Sequence, residues 1–314
     1  MKAKSGPGAW TIYAAVRAAL AVLQVFPIDW NLRAAKVMAR LWVLLTRRHR
    51  DRALLHLRES YGDTLPPERL AAIADASLAH WTTFLMELAC APRLLTPTSW
   101  PKYITPVGFD EVLDILVSGQ GVILVTGHYG HFEMGGYLLA CLGFDVVAVM
   151  RPLDNVYLNR FVVESRAAHG LELLDKKGAM QHARGVLESG RPLAFIADQD
   201  AGRKGVFVDF FGRPASTYKS IGLLAMTTGC PVVVGYARRV GDEFRYEVGV
   251  ERVIRPHEWE AAEEPLKFIT QAYTSAIEAT VRTQPEQYLW MHRRWKSKPK
   301  VRADETRIPE DRPN

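Results

Sequence analysis

Val122-Ile123-Leu124-Val125-Thr126-Gly127-His128-Tyr129-Gly130-His131-Phe132-Glu133 decides how this chain folds. Its first four residues form a short unbroken apolar run, the pattern of a strand buried on both faces. Gly127 and Gly130 then permit a tight turn, and Met134 to Leu142 continues as a helix. A histidine in such a turn, with a carboxylate five residues on, can act as a general base. The imidazole takes a proton from a hydroxyl; the carboxylate fixes its tautomer and stabilises the imidazolium. Residues five apart do not face each other on one continuous helix. Pairing of His128 with Glu133 therefore requires His128 in the turn and Glu133 in the first helical turn, where the helix N-terminus favours the anion. His131 lies inside the spacer and is expected to point elsewhere. The competing reading is a structural histidine followed by a helix-start charge, since a bare HxxxxE is frequent by chance.

Outward from this unit, candidate strands at 121–126, 145–150, 171–174, 193–197 and 232–237 alternate with candidate helices at 134–142, 156–168, 179–188 and 218–228. The alternation predicts an α/β fold, with a mostly parallel central sheet and helices on both faces. Ligands of such sheets bind beyond the carboxyl ends of the strands. His128, Arg151 and Asp198 each follow a predicted strand end, so they can converge there. Residues 244–250 alternate as an antiparallel edge strand, and 265–282 read as a helix. Pro66-Pro67-Glu68 starts another helical stretch, in which Leu78, Trp81, Phe84, Leu85 and Leu88 recur at core spacing.

The chain has 314 residues, 48% hydrophobic and 24% charged, with a net charge of +6. This is enough apolar material for a sizeable core, and basic enough to suit nucleic acid or anionic lipid. No zinc finger or aromatic-interleaved RNA motif accompanies the charge, so nucleic acid is not expected as a partner. Cys90, Cys141 and Cys230 are far apart in apolar contexts, which predicts buried reduced thiols. Ala9 to Phe26 is nearly free of charge and is closed by Pro27; Arg17 interrupts it where a signal peptide would be apolar. We expect an uncleaved membrane-associating helix, spanning or interfacial; a core helix of a soluble protein is the competing reading. Arg33, Lys36 and Arg40, then Arg47-Arg48-His49-Arg50 and Arg52, suit anionic headgroups and a cytoplasmic flank. The expected organisation is therefore an N-terminal membrane-associating helical region (1–60), an α/β domain (61–296) and a disordered polar tail (297–314).

From Gly121 to Trp295 the chain resembles the late (lauroyl and myristoyl) acyltransferases of lipid A biosynthesis, within the wider HxxxxD/E glycerolipid acyltransferase group. Thr126 to Glu133 resembles the family's catalytic block, with His131 where Asn is usual. Met150-Arg151-Pro152-Leu153-Asp154-Asn155 resembles the second block. Ala197-Asp198-Gln199-Asp200, with Gly205 to Ala215, resembles the third. Pro285 to Lys296 resembles the closing block, with Tyr288 where Trp is common. The resemblance implies a membrane-bound enzyme on the cytoplasmic face of the inner membrane. It would move an acyl chain from a thioester, typically on acyl carrier protein, to a hydroxyl of a glycolipid. His128 and Glu133 would be catalytic, and no metal or cofactor is called for. Arg151 is the candidate oxyanion or phosphate contact, against a surface ion pair with Asp154. Asp198 and Gln199 are expected to organise the site by hydrogen bonds. Arg203 and Lys204 are candidate acceptor-phosphate ligands, against a solvated loop. Phe207, Phe210 and Phe211 are candidate acyl-channel residues, against core packing, and His292-Arg293-Arg294 is a candidate contact for the carrier or for headgroups. Two other functions remain in view: a metallohydrolase using His128 and His131, and a catalytically silent lipid-binding protein on the same scaffold.

Overall fold

The computed structural model describes residues 3–175 and 179–299. Four helices open the chain: α1 (Pro7–Val25), α2 (Ile28–Leu45), α3 (Arg47–Tyr61) and α4 (Pro67–Leu94). Pro7 and Pro67 stand in the first turns of α1 and α4, where a missing N–H breaks no helical bond. None of α1 is buried. With a mean hydropathy of 1.3 it is long and apolar enough to cross a membrane. Leu32, Ala35 and Ala39 recur at helical spacing and are buried where α2 packs on α4. The opposite side of α2 leaves Val37, Met38, Leu41 and Trp42 exposed.

The α/β part then runs β1 (Ile104–Val107), α5 (Asp110–Val117), β2 (Val122–Thr126), α6 (Glu133–Cys141), β3 (Val146–Met150), α7 (Val156–Ala167), β4 (Leu171–Asp175), α8 (Ala179–Glu188) and β5 (Pro192–Ile196). A hairpin, β6 (Val206–Phe210) and β7 (Arg213–Thr217), precedes α9 (Ser220–Thr228), β8 (Val232–Arg239), β9 (Tyr246–Ile254), α10 (Pro256–Glu260) and α11 (Pro265–Thr283). Seven strands form one sheet in the order β1-β9-β8-β2-β5-β3-β4. The five from β8 to β4 are mutually parallel; β9 runs antiparallel to β8, and β1 is parallel to β9.

The central strands are buried on both faces, so each face has its own core. Ile123 and Val125 of β2 face one core, with Leu57 of α3, Ile221 and Leu224 of α9 and Ile277 of α11. Val122 and Leu124, on the alternate side, face Val112 of α5 and Leu138 of α6 in the other. The expected parallel sheet with helices on both faces is the observed one. Two details differ. The antiparallel strand over 244–250 is β9, and it is not at the edge, because β1 pairs outside it. The stretch 206–217, expected only as a motif block, is a separate two-stranded hairpin. Its turn places Phe211 and Gly212 at φ 57° and 68°, the left-handed pair that suits a two-residue hairpin loop. Phe211 tolerates this conformation because its ring is buried against Trp290 and Tyr61, with centroids 5.3 and 5.6 Å away. Beyond residue 299 the expected polar tail lies outside the described residues.

Candidate functional site

Strand register builds the centre of the site. β2 and β5 are parallel neighbours, and Thr126 pairs with Ile196. Two residues past each of these, at the carboxyl ends of the two strands, stand His128 and Asp198. The Asp198 carboxylate accepts from the His128 ring Nδ1 at 2.6 Å through one oxygen, and from the His128 backbone N–H at 2.8 Å through the other. An ionised carboxylate only accepts, so Nδ1 carries the ring proton and Nε2 keeps its lone pair. Gly127 is required for this approach: a Cβ there would stand 2.8 Å from the Ile277 side chain and 3.4 Å from Asp198 Oδ2. Gly130, at φ 56°, has a second reason, since its Cβ would lie 1.8 Å from the Ala237 carbonyl oxygen. The turn is pinned from both sides. The Gly130 N–H donates to the Gln287 carbonyl at 3.0 Å, and the His131 N–H donates to the Ala237 carbonyl at 2.9 Å.

Burial alone would raise the Asp198 carboxyl. The His128 imidazole, the two donated hydrogen bonds and the nearby Arg294 guanidinium overcome that and lower it to about 2. Arg294 is itself buried and donates to the Ser216 carbonyl at 2.6 Å, to Thr217 Oγ1 at 2.5 Å and to the Gln199 carbonyl at 3.4 Å. It thereby ties the hairpin to the segment carrying Asp198. Gln199 places its amide nitrogen 3.2 Å from His128 Nε2. The rings of Phe132 and Trp81 stand 5.4 and 6.2 Å from the imidazole, and His292 stacks parallel to it at 6.3 Å. Burial, partly offset by Asp198, lowers the His292 pKa, which favours a neutral second imidazole beside the first.

The expected pairing of His128 with Glu133 is not the one observed. Glu133 opens α6, and its carboxylate is engaged by the Arg166 guanidinium from α7. Arg166 also approaches Met150 Sδ at 3.0 Å. Both partners are largely buried, and burial pushes the Glu133 carboxyl up against the opposing pull of Arg166. The physical reason lies in the turn. Its backbone is held against β8 and against Asp198, so the imidazole faces β5, while the first residue of α6 faces α7. His131 points into yet another environment, buried against Phe84 and Tyr246 at 4.8 and 5.4 Å. Among the described residues no three His, Cys, Asp or Glu side chains cluster as metal ligands, so the metallohydrolase reading has no ligand set there.

Two other expectations meet the surface. Arg151 is exposed, with Nη2 3.7 Å from Asp154 Oδ1, as the ion-pair reading anticipates. Arg203 and Lys204 stand exposed in a turn before the hairpin. Phe210 and Phe211 belong to a buried aromatic cluster with Trp290 and Trp295. The apolar space near the histidine lies elsewhere. A cavity of about 260 Å³ is lined by Phe132, Gly136, Ala148, Phe195 and Leu173, with the Glu133–Arg166 pair in its wall. A second of about 100 Å³ shares Thr126, Phe132 and Gly136. Within the basic run near the end, Arg294 is buried while Arg293 is exposed, so only part of that run can meet a partner. Sequence reasoning missed Arg166, whose only signal is a cation near the end of an otherwise mixed helix.

The sequence pattern of the bacterial lipid A biosynthesis acyltransferase family matches residues 2–297. The lipid A biosynthesis lauroyltransferase of Escherichia coli (strain K12) is 25% identical over 207 residues, covering 64% of this chain and 66% of that protein. The palmitoleoyltransferase of the same organism is 26% identical over 208 residues, covering 64% and 65%. The phosphatidylinositol mannoside acyltransferase of Mycolicibacterium smegmatis (strain ATCC 700084 / mc(2)155) is 26% identical over 224 residues, covering 70% and 71%. The chain thus spans just under two-thirds of the length of the two Escherichia coli relatives it matches.

Proposed function

Since the chain belongs to the bacterial lipid A biosynthesis acyltransferase family, we propose that it transfers a fatty acyl chain from a thioester, on acyl carrier protein, to a hydroxyl of a lipid A precursor or similar glycolipid. The observation that carries this reading is the His128–Asp198 pair, set at the carboxyl ends of β2 and β5 beside an apolar cavity. His128 Nε2 is the base. In the resting arrangement the Gln199 amide occupies its lone pair, and the acceptor hydroxyl takes that place. As the hydroxyl oxygen attacks the thioester carbonyl, Nε2 takes its proton. Asp198, already held anionic, stabilises the imidazolium. Collapse of the tetrahedral intermediate expels the thiolate, which receives the proton back from Nε2. A thiol, with a reference pKa of about 8.5, leaves with less help than an alkoxide. Base assistance of this kind contributes about 10²–10⁴ in rate. The acyl chain lies in the cavity under Phe132, away from water.

In this reading Glu133 is architectural: with Arg166 it fixes the start of α6 and so the turn that carries His128. Residues 1–60 associate with the inner membrane through α1 and the exposed side of α2, with the catalytic part on the cytoplasmic face. The test is expression in a host lacking its own late lipid A acyltransferase, followed by mass spectrometry of the intact lipid beside a His128→Ala control. We expect one new ester-linked chain, absent in the control. An unchanged lipid, with folded protein in the membrane, would rule out lipid A as the acceptor; a new chain that persists in the control would rule out His128 as the base.

A further inference from the structure

On the far side of the His128–His292 stack lies a cavity of about 540 Å³, between the start of α3 and residues 291–296. That volume falls within the range of small-molecule sites, about 300–1,000 Å³. Four of its lining residues are cations, Arg48, Arg52, Arg293 and Lys296, and one is a carboxylate, Asp200. Asp200 is committed to local structure. It accepts from the Ser297 N–H and hydroxyl at 3.1 and 3.0 Å and from the Gly202 N–H at 3.2 Å. Among the described residues none of the four cations forms an ion pair, whereas Arg50, Arg69 and Arg213 do. Arg52 is fixed in place by donating to the Met291 carbonyl at 3.2 Å. Its partial burial, together with the charges of Arg293 and Arg48, lowers its pKa, so the cations repel one another across the space. Four cations around a hollow that holds one carboxylate leave an excess of positive charge, which an anion entering the hollow stabilises. Arginine forks suit a phosphate best.

We infer that this cavity binds the phosphate of an amphipathic lipid acceptor while the hydroxyl to be acylated lies at His128. The inference rests on the acyl-transfer reading and deepens it by placing the acceptor's phosphate in this cavity. A second observation points to a lipid rather than to the phosphate of the donor's pantetheine arm. His49, which lines the cavity, stacks on Trp42 with centroids 6.3 Å apart. Trp42 belongs to the exposed apolar side of α2, with Val37, Met38 and Leu41. The basic hollow therefore opens at the foot of an apolar surface. That is the arrangement a molecule meets when its tails stay in the bilayer and its phosphate sits at the interface. His292 joins the two regions, since it lines the cavity and stacks on the catalytic imidazole.

The experiment is calorimetric titration of the full chain in neutral detergent with three probes: dodecyl phosphate, dodecyl glucoside and 4′-phosphopantetheine. Dodecyl phosphate should bind, more weakly at higher salt, and the other two at least about tenfold less tightly. Arg48 and Arg293 are exposed, so their replacement leaves the fold intact. Each of Arg48→Gln and Arg293→Gln should weaken dodecyl phosphate about tenfold, the scale of one charge-assisted hydrogen bond. The double Lys variant should bind more tightly than the double Gln variant, because it keeps the charge though not the fork. His128→Ala should bind as wild type does. No turnover is involved, so failure of the acyl-transfer reading would leave this result untouched. Dodecyl phosphate binding that is absent, or indifferent to both arginines, would overturn the inference. Tighter, arginine-dependent binding of 4′-phosphopantetheine would overturn the lipid assignment in favour of the donor.

Discussion

Asp198→Asn separates the two carboxylates of the site. Both oxygens of Asp198 are in use, one by the His128 ring at 2.6 Å and one by the His128 backbone N–H at 2.8 Å. Asparagine offers one oxygen and one NH₂ group to those two positions. If the oxygen stays with the backbone N–H, the NH₂ faces Nδ1, which must become the acceptor. The proton then sits on Nε2, and the ring has no lone pair for the acceptor hydroxyl. If the oxygen turns to the ring, a buried backbone N–H faces an NH₂, at a desolvation cost of about 1–3 kcal/mol. In both arrangements the imidazolium of the proposed transition state loses its counter-charge. A charge-assisted hydrogen bond of this type is worth about 1.5–3 kcal/mol, or about 10–100-fold in rate. With the tautomer penalty added, kcat should fall by about 10²–10⁴. Glu133→Gln behaves differently, because it strands a mostly buried Arg166. Breaking a buried pair on one side costs about 3–5 kcal/mol of stability. The assay is single-turnover transfer from the proposed donor, acyl carrier protein, beside denaturant unfolding of each variant in detergent. An Asp198→Asn enzyme within about threefold of wild type, next to a stable Glu133→Gln enzyme that has lost two orders of magnitude, would refute this division.

Stability should fall in acid, and His80 and Asp198 contribute to the fall with the same sign. Burial lowers His80 from 6.5 to about 4, so the unfolded chain binds a proton the folded one refuses; this stability is complete above pH 6.5 and is lost as pH falls towards 4. Asp198, lowered from 3.8 to about 2, gives about 2 kcal/mol that is present above pH 3.8 and lost below it. Unfolding free energy measured from pH 7 to 4 should therefore decline in wild type and decline less steeply in His80→Gln, the remaining slope coming from His131, His56 and His292, which burial also lowers; equal slopes would show that His80 carries none of the effect. Gly130→Ala puts a Cβ 1.8 Å from the Ala237 carbonyl oxygen at φ 56°. The conformational cost alone is about 1–2 kcal/mol, so both unfolding temperature and transfer rate should drop, and an unaltered variant would mean that the turn is free to move.

The unit from β2 to α6 is legible in the sequence because its signals are local: an apolar run, two glycines and a helical continuation. The parallel sheet follows from alternation over the whole chain. The partner of His128 is not legible, because it depends on which strand lies beside β2. That neighbour is β5, some 70 residues on, and the strand order that brings it there is set by packing on both faces. Asp198 was recognisable as a residue past a strand end, but its contact with the imidazole was not. Glu133 attracted the pairing through proximity along the chain, while its actual partner Arg166 is 33 residues away. β1 escapes because four residues containing Pro106 show no alternation, and an edge strand tolerates a proline. The hairpin did carry a signal, in Val206, Val208 and Phe210 followed by Phe211-Gly212, which its motif reading hid. In the run His292-Arg293-Arg294 nothing marks which cation goes inside; the Ser216 carbonyl and Thr217 hydroxyl of β7, the Gln199 carbonyl and the charge of Asp198 select Arg294.

The separation of the two carboxylates has a physical logic on either side of Phe132. That ring lies 5.4 Å from His128 and also lines the apolar cavity. In the proposed mechanism the carboxylate beside the base must stay anionic near a proton that comes and goes, and Asp198 achieves this with two donated N–H groups and a buried arginine behind it. Glu133 faces the apolar cavity, where an unpaired anion would carry a desolvation cost and draw in water. Arg166 cancels that charge within the wall, which leaves the space fit for a hydrocarbon chain. One carboxylate serving both ends would have to be solvated enough to orient a base and dry enough to border an acyl chain. Six residues of turn, 127–132, held by Gly127 and Gly130, allow one loop to place a base beside one carboxylate and seal the cavity with another.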